Sequence, residues 1–201
     1  NIWSVPIPAS GSVSAESAVP LTTSSQVVES MRVSPDGRWL LYASNLEGHS
    51  DIYRMPIGGG PSERLTSEPV DEFAPDLSPD GRTLAYHTWR TGTRDIEIKP
   101  LDGAPAQLVT DSPGQESYPA WSPDGRSLLF LDQTPGSNSI YVLRRGTDGR
   151  WAPAAELADS ALSPAWSPNG ASVAYVVGVT AQDAREIRII PATGGPERSV
   201  F

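Results

Sequence analysis

The sequence predicts an all-β fold, and three observations carry that reading. The tetrapeptide SPDG stands at residues 34–37, 78–81 and 122–125 and returns as SPNG at 167–170, at offsets of 44, 44 and 45 residues. Each copy is followed by short apolar, β-branched and aromatic segments separated by Gly/Pro-rich turns. No stretch keeps a 3.6-residue apolar period long enough for a helix.

The elements follow in order within each copy. An apolar residue precedes the tetrapeptide (Val33, Leu77, Trp121, Trp166) and ends a first strand. The tetrapeptide is a hairpin turn: proline fixes φ near −65°, Asp or Asn tolerates the third position, and glycine accepts the positive φ that re-enters a twisted ladder. Asp36, Asp80, Asp124 and Asn169, with Gly37, Gly81, Gly125 and Gly170, are therefore structural turn residues. An Asp recurring with the repeat period, and replaceable by Asn, is turn chemistry rather than catalysis.

A second strand follows (WLLYAS, TLAYHT, SLLFLD, SVAYVV), then a third (DIYRM, DIEIK, SIYVL, EIRII), then a Gly/Pro turn and a short fourth. Runs apolar on both faces suit sheets covered on both sides, and Tyr42, Tyr86, Phe130 and Tyr175 recur in one slot as packing residues between sheets. Units of this length with four strands match the blades of a β-propeller. Four antiparallel four-stranded blades are expected at 25–66, 67–110, 111–158 and 159–201. Residues 1–24 align with the third and fourth strands of the repeat, so half a blade precedes them. No further SPDG-like hairpin completes that half, and the sequence reads as one propeller domain or segment, part of a larger ring of six or more blades.

Composition excludes several roles. The 201 residues include 15 Lys and Arg against 24 Asp and Glu, a net charge of −9, and Lys99 is the only lysine. Nucleic-acid binding, which draws its affinity from phosphate neutralisation, is not expected. No apolar run reaches the ~18 residues of a membrane helix, so direct membrane insertion is not expected either. The absence of Cys removes disulfides and thiolate chemistry but leaves the compartment open.

Catalytic and metal signatures are missing. There is no GxSxG elbow and no HExxH, and the only histidines are His49, in a polar loop, and His87, within a second strand. Residues 76–81 imitate the first half of a calcium loop, but His87 stands where the bidentate Glu belongs. The reading is non-enzymatic, with no catalytic residue, metal or cofactor expected.

The repeat resembles the WD-repeat-like β-propeller family of TolB-type proteins, whose unit runs approximately PxWSPDGxxLAFxSxRxGxxDIYxxxxxGGxxxxLT. Residues 75–110, PDLSPDGRTLAYHTWRTGTRDIEIKPLDGAPAQLVT, are similar to it, as is PAWSPDGRSLLF at 119–130. The resemblance implies a bacterial scaffold that binds a protein or peptide, in a periplasmic or other extracytoplasmic setting, with its oligomeric state open. The same repeat also occurs in the gating propellers of prolyl-oligopeptidase-like and tricorn-like serine peptidases and in sensory domains of bacterial kinases and regulators, which stand as alternatives.

Within such a scaffold the residues leading into the first strands vary between copies, and variation on a fixed frame is where specificity is placed. The candidate partner-binding residues are Glu29, Arg32, Glu72, Asp76, Glu116 and Tyr118 at the channel mouth; Ser160 and Ser163 are the fourth copy's counterparts. Arg32 and Asp76 occupy matching slots in adjacent copies, where an ion pair stands as an alternative to the plainer reading of solvated loop charges. Trp89 and Arg90, between strands two and three, form a second candidate surface.

Overall fold

The computed structural model describes residues 1–178 and 186–200. Residues 179–185 and Phe201, which belong to the fourth expected blade, lie outside the described residues. A two-stranded sheet of β1 (Trp3–Ser4) and β2 (Val19–Pro20) comes first. Four four-stranded sheets follow, each pairing its strands in chain order. They are β3–β6 (Val28–Val33, Trp39–Ser44, Asp51–Pro56, Glu63–Arg64), β7–β10 (Glu72–Leu77, Thr83–Thr88, Asp95–Pro100, Gln107–Leu108), β11–β14 (Glu116–Trp121, Ser127–Thr134, Ser137–Arg144, Ala155–Ala158) and β15–β18 (Ala161–Trp166, Ser172–Val177, Glu186–Pro191, Arg198–Ser199). All pairs are antiparallel.

Each tetrapeptide closes its turn in one way. The Ser hydroxyl donates to the Asp or Asn side chain at 2.6, 2.6, 2.6 and 2.8 Å, and accepts from the backbone N–H five residues on at 2.9, 2.9, 2.9 and 3.0 Å. The glycines sit at φ +70°, +72°, +68° and +69°, where a side chain would be strained. The hydroxyl hydrogen bond holds the carboxyls of Asp36, Asp80 and Asp124 below the usual range, Asp36 at about 2 with help from Arg38.

A second periodic bond locks the third strands. The N–H groups of Ile2, Ile52 and Ile96 donate to the hydroxyls of Thr22, Thr66 and Thr110 at 2.8, 2.8 and 2.7 Å. Both polar partners are removed from water together, so the strand entrance is sealed without an orphaned donor.

The apolar core lies between neighbouring sheets. Leu41, Ala43 and Ile52 of the first blade pack on Leu77, Leu84 and Tyr86 of the second; Ala85, Ile96 and Ile98 pack on Trp121, Leu128 and Phe130; Leu129, Ile140 and Val142 pack on Ala161, Val173 and Tyr175. The recurring aromatics Tyr42, Tyr86, Phe130 and Tyr175 are all buried. A strand apolar on both faces is thus what a sheet covered on both sides requires.

Candidate functional site

The first strands of the blades meet at the inner edge of the array. Each carries a β-bulge, with register shifts at Glu29/Met31, Phe73/Asp76, Ser117/Ala120 and Leu162/Ala165. Within every bulge one non-glycine residue adopts a positive φ: Ser30 at 47°, Ala74 at 52°, Tyr118 at 54° and Ser163 at 52°. Such a conformation costs on the order of 1–3 kcal/mol and persists where the surroundings fix it. At Ala74 they do: its N–H donates to Ser30 Oγ at 2.8 Å, and nearby the Trp121 N–H donates to Asp76 Oδ2 at 2.7 Å, each bond crossing from one blade to the next.

These bulges frame a 220 Å³ cavity. Its walls are aromatic. His87 stands between Phe73 and Tyr118, at ring-centre distances of 5.6 and 5.8 Å, and Trp89 carries the guanidinium of Arg94 5.7 Å from its ring centre. Glu29 and Ser30 complete the lining. Trp89 and Tyr118 are 40% and 50% exposed, unusual for rings of that size and available to a ligand. His87 is buried, and burial together with Arg94 holds its pKa down to about 3, so the imidazole is neutral at pH 7. Its Nδ1 has no hydrogen-bond partner. Ser30 Oγ accepts from the Ala74 N–H, and no hydrogen bond joins it to His87 Nδ1. The cavity offers stacking surfaces, one cation and one carboxylate.

A 200 Å³ hollow adjoins it, sharing Ser30 and Tyr118 and adding Met31, Arg32 and Pro75. Arg32 pairs with Asp76 at 3.8 Å, the alternative their matching slots offered, rather than standing as two solvated charges. Asp76 is mostly buried, and burial raises its carboxyl to about 6 against the opposing pull of the Trp121 N–H and Arg32.

The eight candidate residues therefore divide. Glu29, Trp89 and Tyr118 converge on the cavity, with Arg32 and Asp76 beside it. Glu72, Glu116 and Arg90 do not join them. Glu72 and Glu116 are 0% and 2% exposed, buried at the seams between blades rather than solvated at the mouth. They lie one register position from the slot of Glu29, and a strand turns consecutive side chains to opposite faces. Arg90 likewise turns away from Trp89 and pairs at 2.9 Å with the fully buried Glu97. Phe73, His87 and Arg94 are site residues that sequence reading left out. Phe73 occupies the slot of Glu29 one repeat later, which was the available signal.

Fold and site together define a β-propeller with an aromatic-lined cavity at its inner bulges. Residues 67–176 match the family model described as TolB beta propeller domain, more than half of the chain, and the protein belongs to that family. No match is found among curated proteins. Among solved structures the chain is similar to a TolB-type protein from Agrobacterium tumefaciens, with 27% identity, a TM-score of 0.69 and coverage of 84% of this chain and 63% of that one. It is similar also to TolB from Acinetobacter baumannii (22% identity, TM-score 0.66, 82% of this chain and 40% of that one). The acylaminoacyl peptidase of Pyrococcus horikoshii shares the fold at 18% identity and TM-score 0.61, over 88% of this chain and 32% of that one. The chain thus spans less than two thirds of the length of the TolB structures it matches.

Proposed function

We propose that the protein is a non-catalytic, TolB-like propeller scaffold that binds a protein or peptide segment at the inner cavity. In this reading residues 1–201 act as one domain, half a blade over 1–24 followed by blades at 25–66, 67–110, 111–158 and 159–201. The carrying observation is the convergence of Trp89, Tyr118, Phe73 and His87 with Arg94 and Glu29 around one opening. Rigid, part-exposed aromatics beside an arginine are the side chains that supply most binding energy at interfaces. The blade-to-blade bonds hold them in place, so little ordering entropy is lost on association.

The test is a selection of peptides on the wild-type chain, followed by calorimetric titration of the selected sequence into Trp89→Ala and Tyr118→Ala. Loss of a hot-spot ring lowers affinity about 30-fold. Unchanged affinity in both variants, with melting temperatures retained, would overturn the assignment of the site.

A further inference from the structure

A larger cleft, of 530 Å³, lies at the seam between the second and third blades and shares no residue with the inner cavity. That volume is in the range of small-ligand sites. One wall is aromatic and apolar: Phe130 and Tyr141, stacked at 5.7 Å, with Leu143 and Trp151. The other is acidic, formed by Glu116, Asp132 and Asp111. No Lys, Arg or His lines it. The nearby Arg145 lies beside Trp151, its guanidinium 5.9 Å from that ring centre and its Nε donating to the Gly149 carbonyl at 2.8 Å, and it makes no ion pair with Glu116 among the described residues.

Glu116 is the side chain that needs a partner. It is 2% exposed; Ser112 donates to its Oε1, while Oε2 is buried and without a hydrogen bond. Burial, reinforced by the charges of Asp95 and Asp132, raises its carboxyl to about 7.

The repeat supplies the comparison. One unit earlier the same seam forms a 280 Å³ cleft around the equally buried Glu72, whose two carboxylate oxygens also lack a hydrogen bond; its lining includes the chain's own cations, Lys99, whose charge acts on Glu72, and Arg90, which pairs with Glu97 at 2.9 Å. Forty-four residues on, the carboxylate is kept as Glu116, but Leu143 replaces Lys99, Thr134 replaces Arg90 and Tyr141 replaces Glu97. The third blade has exchanged Lys99 and the Arg90–Glu97 pair of the second for apolar surface and a larger cleft.

We propose that this cleft binds an organic cation, an alkylammonium or guanidinium on an apolar stem, with Glu116 as counter-ion and Phe130, Tyr141 and Trp151 as walls. A cation entering there meets a desolvated carboxylate and ring faces at once, and both contacts strengthen where water is excluded. The stem covers Leu143. A free amine and the basic side chain of a polypeptide share this chemistry.

The test is calorimetric titration of the 201-residue chain at pH 8 with n-pentylamine, N-acetyl-lysine amide and, as neutral control, n-pentanol. Saturable binding of the amines without binding of the alcohol is expected. Glu116→Gln should weaken it about 30-fold or more, and Trp151→Ala roughly 3- to 30-fold, which keeps the test open if the first variant folds poorly. Tighter binding of pentylamine identifies a free amine as the source, and tighter binding of the lysine amide a polypeptide side chain; each supports the proposal. Equal binding of the alcohol, undiminished binding in both variants, or no saturable binding of either amine would overturn it.

Discussion

Replacing Ser122 by Ala probes the device repeated most faithfully in this chain. Ser122 is buried; its hydroxyl donates to Asp124 at 2.6 Å and accepts from the Ser127 N–H at 2.9 Å, while the Gly125 N–H still reaches the Ser122 carbonyl. The substitution removes two hydrogen bonds and leaves the backbone turn. At about 1 kcal/mol each the loss is about 2 kcal/mol, which for a chain of this size lowers the melting temperature by roughly 4–8 °C. The loss also depends on pH. The Ser122 hydroxyl is the main cause of the lowered Asp124 pKa. A carboxyl lowered by folding stabilises the protein above its unfolded pKa, and that contribution fades as pH falls through the folded value. The deficit of Ser122→Ala should therefore be largest near neutrality and shrink in acid, by less than about 1 kcal/mol because the turn is exposed to solvent. Ser167→Ala is the internal control: Asn169 takes the same hydrogen bond at 2.8 Å but carries no charge, so its deficit should not vary with pH. Thermal melts followed by circular dichroism from neutral to acid pH measure both. A melting temperature unchanged by Ser122→Ala, or identical pH profiles for the two variants, would refute the reasoning.

Two further outcomes follow from the same structure. Gly125→Val should destabilise by more than about 1 kcal/mol, because φ of +68° strains a branched side chain although the nearest atom to a Cβ, Pro79 Cδ, lies at 3.6 Å; urea unfolding measures it, and an unchanged midpoint would remove the positive-φ requirement. Glu116→Gln should gain stability relative to wild type between pH 5 and pH 8, by roughly 1–3 kcal/mol, since a carboxyl raised to about 7 binds its proton more tightly when folded and loses stability as pH rises. Parallel wild-type and variant stability curves over that interval would contradict the burial of an uncompensated carboxylate.

How far the site could be read in advance depended on what repeats visibly. Ser34, Asp36 and Gly37 and their counterparts announce a turn because each residue type has a local backbone role, whereas the matching slots of Arg32 and Asp76 offered a pair without deciding it against solvated charges. The bulge left no such mark. Ser30, Ala74, Tyr118 and Ser163 adopt positive φ without being glycine; at Ala74 a bond to Ser30 in the neighbouring blade helps fix the conformation, and a local reading of residue type contains no such bond. That bulge sets which of two adjacent residues faces inward. Glu29 and Glu72 look equivalent as charges before a strand, yet one lines the cavity and the other is sealed in a seam. Trp89 and Arg90 separate in the turn that follows Thr88, one lining the cavity and the other reaching the buried Glu97. His87 lacks a ligand or triad spacing, so its place between Phe73 and Tyr118 emerges only when three strands of two blades are brought together.

Hydrogen–deuterium exchange with a selected peptide bound tests the central claim most directly. Binding at the inner cavity should slow exchange at residues 29–32, 73–76, 87–94 and 116–119, which supply its bulges and walls. Protection confined to other surfaces, with these four segments unchanged, would contradict it.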